Sequence, residues 1–293
     1  RNSMKAYVFP GQGSQKPGMG QELFNDKIES RDLFKKANEV MNFNITELMF
    51  EGSSEELLQT KVTQPAIFIH SVISALTSNT FKPDVCAGHS LGEFSALVAS
   101  KSISFEDGLR LVSIRANAMQ QACQETEGTM AAILGLSNEI VESVCNEIDG
   151  IVKPANYNCP GQLVISGEFN AVEKACESLK EKGARRALIL PVSGAFHSDL
   201  MKSASNELKK GIDNIDFKKP NCPIYQNFTA SAVIDPLVIQ ANLLNQLTGA
   251  VLWSQSINKM IEDGVKEFIE VGPGNILQGL IKKIDGDVVV NKI

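Results

Sequence analysis

Short apolar runs alternate with longer stretches in which apolar residues return every three or four positions, the mixed signature of strands and helices. Lys5 to Phe9 is a β-prone run that stops at Pro10-Gly11-Gln12-Gly13-Ser14-Gln15. Helical spacing follows to about Met49. It resumes near Gln64-Pro65 and runs through Ile67, Phe68, Val72, Ile73 and Leu76. Val85-Cys86-Ala87 reads as a short strand, followed by the helix-forming Glu93 to Ala99 and a long amphipathic helix from about Phe105 to Gln121. Strands alternating with helices predict an α/β chain with a mostly parallel sheet.

The middle of the chain changes character. Met130 to Leu136 reads as a strand and Asn138 to Ile148 as a helix. Ile151 to Tyr157 and Leu163 to Ser166 read as strands joined by Asn158-Cys159-Pro160-Gly161. Ala171 to Lys182 is a helix and Arg186 to Val192 a final strand. The order β-α-β-β-α-β is that of the split βαβ, or ferredoxin-like, unit. The pattern therefore predicts a small ferredoxin-like subdomain at 127–193, inserted into a larger α/β domain made of 4–126 and 194–293. That domain closes with a helix at Ser254–Asp263, a strand at Lys266–Val271, the turn Gly272-Pro273-Gly274 and a helix at Ile276–Lys283.

Composition narrows the function classes. Of 293 residues, 43% are hydrophobic and 21% charged, so the chain can bury a large core without staples. A net charge of −6 argues against a nucleic-acid binder. No apolar run approaches the roughly 18 residues that span a bilayer, so no membrane partner is expected. The six cysteines are scattered, with no C-x-x-C pair, which predicts a reducing compartment and no disulfide framework. Arg1-Asn2-Ser3 before Met4 reads as an engineered remnant or the stub of a removed leader and is set aside. The expected location is the cytoplasm, or a plastid or mitochondrion where a leader has been removed.

Gly88-His89-Ser90-Leu91-Gly92, between the predicted strand and helix, fits the G-x-S-x-G nucleophile elbow. The turn holds the serine in strained backbone geometry and leaves no room for a Cβ on either side. Its hydroxyl is lifted clear of the backbone at the positive end of a helix. A serine nucleophile needs a base, and only three histidines exist. His70 falls in an apolar helical pattern and reads as a core residue. His89 adjoins Ser90, where neighbours in a sharp turn diverge, and reads as shaping the turn. His197, in a loop re-entering the large domain, is the candidate base. No acid between Ser90 and His197 stands out as the third member of a triad. No H-E-x-x-H or cysteine cluster suggests a metal, and none is expected. The glycine-rich loops at Gln12 and Gly272 complete neither G-x-G-x-x-G nor a P-loop.

Phe9-Pro10-Gly11-Gln12-Gly13-Ser14-Gln15, Gly88-His89-Ser90-Leu91-Gly92-Glu93 and Ala195-Phe196-His197-Ser198 together strongly resemble the malonyl-CoA:acyl carrier protein transacylases of fatty-acid synthesis. Thr63-Gln64-Pro65-Ala66, Asn158-Cys159-Pro160-Gly161-Gln162, Gln246-Leu247 before Trp253, and Glu270-Val271-Gly272-Pro273-Gly274 follow in the family's order. The resemblance runs from about Met4 to Ile284. It implies an α/β-hydrolase-like core with a ferredoxin-like insertion and an active site between the two.

It also implies a set of roles. Ser90 would attack the malonyl thioester, His197 would take its proton, and the backbone N–H groups of Gln12 and Leu91 would hold the oxyanion. A carbonyl of Gln246 would orient His197 in place of a triad acid. Arg115, among apolar helix positions, would grip the malonyl carboxylate with two parallel hydrogen bonds. Gln64 and Asn158 would line the site, and Phe196 would favour malonyl over α-methylated groups. Malonyl-CoA and acyl carrier protein are the implied partners. No cofactor is expected, because the phosphopantetheine belongs to the carrier. A monomer is compatible with the motif set. Lys182, Arg185 and Arg186, or Lys282 and Lys283, are candidates for docking an acidic carrier. Three readings stand beside this one: a serine hydrolase or thioesterase on a similar core, a silent carrier-docking module, and a transferase for another extender acyl group.

Overall fold

The computed structural model describes residues 4–293; Arg1-Asn2-Ser3, set aside in the sequence reading, lies outside the described residues. Its strands are β1 (Met4–Phe9), β2 (Val85–Gly88), β3 (Gly128–Leu134), β4 (Val152–Cys159), β5 (Gln162–Glu168), β6 (Arg186–Ile189), β7 (Ile224–Gln226), β8 (Ser231–Val233), β9 (Val265–Glu270) and β10 (Val289–Lys292). Six form one sheet in the order β10-β9-β1-β2-β7-β8, parallel except for β8.

β1 shows why its strand reads as an unbroken apolar run. Tyr7 and Phe9 pack into a core on one face, Ala6 and Val8 into a second core on the other. A parallel strand buried on both faces has no polar alternation to display. The register Phe9↔Gly88 brings the end of β1 beside the end of β2. The loops after β1, β2 and β9 therefore emerge together at the carboxyl edge of the sheet, where open α/β sheets bind their ligands.

The other four strands form an antiparallel sheet in the order β4-β5-β3-β6, the ferredoxin-like arrangement. Helices Asn138–Glu147 and Phe169–Glu181 cover one face through Val141, Val144, Val172 and Leu179. Met130, Ala155 and Val164 of the same sheet join the main core instead.

Three expectations need correcting. The helix expected from Gln64 begins at Thr60 and carries Pro65 in its interior. Pro65 lacks the N–H for one helical bond, but neighbouring turns hold the segment, and Thr63 Oγ donates to Gln59 O at 3.0 Å. The strand expected to reach Val192 stops at Ile189, because Pro191 cannot donate to a ladder and Val192 N–H turns back to Leu190 O at 2.8 Å. β7, β8, β10 and the helices Ser205–Asp213 and Pro236–Gln246 were not anticipated. No helix among the described residues is long and apolar enough to cross a membrane.

Candidate active site

The elbow forms because two positions admit no side chain. A Cβ on Gly88 would lie 1.9 Å from the Gly92 carbonyl carbon, and one on Gly92 would lie 2.0 Å from Phe9 O. Ser90 sits between them with φ 54°, in the left-handed region that a non-glycine residue adopts at a cost. The helix Gly92–Ala99 starts immediately afterwards. The loop after β1 presses against the elbow closely enough that a Cβ on Gly11 would meet His89 O at 2.4 Å.

Ser90 Oγ lies 2.7 Å from His197 Nε2. His197 Nδ1 lies 2.8 Å from the backbone oxygen of Gln246. A carbonyl only accepts, so Nδ1 carries the proton and donates, which leaves the Nε2 lone pair to accept from the serine hydroxyl. No carboxylate takes part in this chain of contacts. Burial, with the charge of Arg115 second, pushes His197 down to about 3, so the imidazole is neutral at physiological pH. His197 also has a positive φ, 56°. Ser90 and His197 are thus both held in strained backbone, a pattern that clusters at functional sites.

Arg115 projects from the helix Phe105–Glu125 and is only 1% exposed. Its Nη1 donates to Gln64 Oε1 at 2.6 Å and its Nη2 to Gln246 Oε1 at 2.9 Å and Ser90 Oγ at 3.3 Å. Its Nε is buried without a partner among the described residues. The guanidinium stacks over Phe94, 5.2 Å from the ring centroid. Burial lowers Arg115 to about 10, which leaves it charged. All of its hydrogen bonds go to neutral oxygens. Glu93 acts on it only through space, and burial lifts that carboxyl to about 7.

Ser90, His197, Arg115 and Gln64 line a cavity of about 100 Å³ that Gln12, Leu91, His89, Phe196, Met119 and Asn156 help to wall. Among the described residues no hydrogen bond engages the backbone N–H of Gln12 or of Leu91. A larger cleft of about 670 Å³ adjoins this cavity, sharing Gln12 and Val192. Asn158 stands one layer back from its expected place: its Oδ1 pairs with His89 Nε2 at 2.8 Å, while Asn156 lines the wall. β4 carries both, and the irregular register between Tyr157 and Cys159 separates their directions. His89, expected to shape the turn, also contributes to the wall, and its ring lies 5.4 Å from that of Trp253.

Sequence reasoning missed two buried polar residues, Glu93 and Asn227. Glu93 Oε1 accepts the Asn227 backbone N–H at 2.6 Å, and Asn227 Oδ1 accepts the Ser90 N–H at 2.7 Å. A charged residue inside the mostly apolar run Gly92–Ala99 was the available signal for the first. The second follows a three-residue strand too short to register.

The acyl transferase domain family matches residues 6–286 of the chain. A malonyl CoA-acyl carrier protein transacylase from Bacillus subtilis is 44% identical over 285 residues, covering 96% of this chain and 90% of the relative. The crystal structure of an acyl-carrier-protein S-malonyltransferase from Bartonella henselae superposes with a TM-score of 0.96 at 38% identity. That match covers 99% of this chain and 95% of the other. A malonyl-transacylase complex with its type II PKS acyl-carrier protein also matches, with a TM-score of 0.96 and 38% identity over 99% of this chain and 96% of that one. The chain belongs to the acyl transferase family and, within it, to the malonyl CoA-acyl carrier protein transacylases.

Proposed function

We propose that this enzyme moves a malonyl group from malonyl-CoA to the phosphopantetheine thiol of acyl carrier protein, through a malonyl-serine at Ser90, as a step of fatty-acid synthesis. The observation that carries the reading is the buried guanidinium of Arg115, bonded only to neutral oxygens and 3.3 Å from Ser90 Oγ. A buried charge without a counter-charge is costly. A substrate carboxylate next to the serine supplies that counter-charge in a bidentate geometry.

Ser90 Oγ attacks the thioester carbonyl while its proton passes to His197 Nε2. The tetrahedral oxyanion takes the N–H groups of Gln12 and Leu91. As the C–S bond breaks, His197 returns the proton to the departing CoA thiolate. The carrier thiol then gives its proton to His197 and attacks the acyl-serine, and the proton ends on Ser90 Oγ. The carbonyl of Gln246 fixes the imidazole tautomer without adding a buried negative charge. A thioester is activated enough for this neutral acceptor to suffice, and the reaction draws on no cofactor.

Substrate binding also tunes the base. The charge of Arg115 helps to hold His197 low. A malonyl carboxylate on Arg115 offsets that charge, so His197 becomes more basic when substrate arrives. Phe196, on the cavity wall beside His197, restricts the space near the α-carbon. One methyl group is worth about 1–3 kcal/mol in such a pocket, which gives preference for malonyl without absolute exclusion.

Initial-rate kinetics test the reading. Varying malonyl-CoA at several concentrations of holo carrier protein is expected to give the parallel double-reciprocal lines of a ping-pong reaction. Intersecting lines, or free malonate released faster than malonyl-carrier forms, would reject it.

A further inference from the structure

Ser90 keeps its left-handed backbone because something outside the elbow holds it, and the hydrogen bonds identify the holder. Asn227 is fully buried directly after β7. Its Nδ2 donates to Gly88 O at 2.7 Å and its Oδ1 accepts from Ser90 N–H at 2.7 Å. One side-chain amide thus bridges the two peptide groups that flank His89. Asn227 is itself fixed at both ends of its backbone: its N–H donates to Glu93 Oε1 at 2.6 Å and its carbonyl accepts from Leu252 N–H at 3.1 Å. Gln226 Nε2 donates to the other Glu93 oxygen at 3.3 Å. Gln246 Nε2 reaches Asn227 Oδ1 at 3.3 Å and Ser90 O at 3.0 Å. That same glutamine accepts from Arg115 and from His197.

We propose that Asn227 is a positioning residue, whose amide brackets the elbow to hold Ser90 in its reactive conformation and joins it through Gln246 to His197 and Arg115. The inference rests on Ser90 being the nucleophile. It explains why the residue is asparagine. The bracket needs one donor and one acceptor on a planar group, with no charge beside the buried Glu93. Aspartate keeps the acceptor but sets a carboxylate oxygen against the Gly88 carbonyl. Alanine leaves a buried N–H and a buried C=O unpaired. Because Asn227 occupies the Ser90 N–H, the oxyanion site is left to the N–H groups of Leu91 and Gln12.

The test compares wild type, Asn227→Asp and Asn227→Ala in their rate of reaction with a fluorophosphonate, read by intact mass per folded molecule. In that reaction Ser90 Oγ displaces fluoride from phosphorus and the hydroxyl proton leaves through His197. The probe does not depend on the acyl group, so it separates this inference from the malonyl assignment. Misplacing a nucleophile by about 1 Å costs on the order of 10²-fold, so Asn227→Ala is expected to react about 10²-fold more slowly, with Asn227→Asp between it and wild type. With malonyl-CoA the loss falls on kcat, since Gln64 still holds Arg115 and KM changes little. Folded variants that react at the wild-type rate would overturn the proposal, whatever their melting temperatures. A wild-type Ser90 inert to the probe would overturn both readings. Exchange of the Ser90 amide in ¹⁵N-serine-labelled wild type needs no variant: protection is expected, and exchange at the rate of an exposed loop would overturn the bracket.

Discussion

At the scale of single residues, the site is governed by one buried cation whose hydrogen bonds all go to neutral oxygens. Arg115→Ala is expected to lower kcat/KM for malonyl-CoA by about 10²- to 10³-fold, the loss of a charge-assisted pair of about 3–4 kcal/mol. The same variant gains ground with acetyl-CoA, and competition between the two thioesters measures the switch. Removing the cation also takes away one of the causes that hold His197 near 3, so the histidine is expected to titrate closer to its ordinary value. Histidine NMR across the acid range reads that shift directly. The same depression carries a stability consequence. Below pH 6.5 the unfolded chain binds a proton at this position and the folded chain does not. Folding therefore weakens as pH falls from about 6.5 toward 3, by about 1.4 kcal/mol per unit for this one group. Denaturant melts of His197→Gln are expected to show a shallower acid loss than wild type, and identical slopes would contradict the assignment. Ser90 and its elbow could be read from spacing alone, because geometry forces glycine at fixed positions. Arg115, Gln246 and Phe196 could be assigned only through resemblance, since nothing in a helix or loop pattern says which polar residue points inward. Asn227 was hidden, because its role depends on a contact 137 residues away.

At the scale of elements, legibility followed length and periodicity. The helix Phe105–Glu125 and the β-α-β-β-α-β order came through because long periodic segments bury a defined face. β7, β8 and β10, of three or four residues, carry too few positions to show any period, and unlike the four-residue β2 none leads into a G-x-S-x-G turn that marks its end. Their pairing is decided by the neighbouring strands. The junction of β1 with the elbow makes the sharpest mechanical prediction. Gly92→Ala sets a Cβ 2.0 Å from Phe9 O, backbone against backbone, where no rotamer change gives relief. Destabilisation of at least about 3 kcal/mol is expected by urea titration, in the range kept for strained special positions. A variant within 1 kcal/mol of wild type would mean that the elbow is more pliable than this packing allows.

At the scale of the whole molecule, a chain of net charge −6 is proposed to meet an acidic carrier, so docking depends on where the cations sit. Lys182, Arg185, Arg186 and Lys283 are exposed. Lys282 is engaged with its own helix end, donating to Gly286 O at 3.1 Å and Val288 O at 2.5 Å, which makes it the weaker candidate. Charge reversal at Arg185 and Arg186 is expected to raise KM for the carrier protein several-fold, leave that for malonyl-CoA unchanged, and flatten the salt dependence. Unchanged carrier kinetics would remove that cluster. The measurement that bears most directly on the central claim is intact-protein mass spectrometry after mixing with malonyl-CoA, with and without holo acyl carrier protein. The account predicts a malonyl adduct on wild type that is absent from Ser90→Ala and moves to the carrier when the carrier is added. A folded wild-type protein that forms no adduct, or one whose adduct decays to malonate at the same rate with or without the carrier, would contradict it.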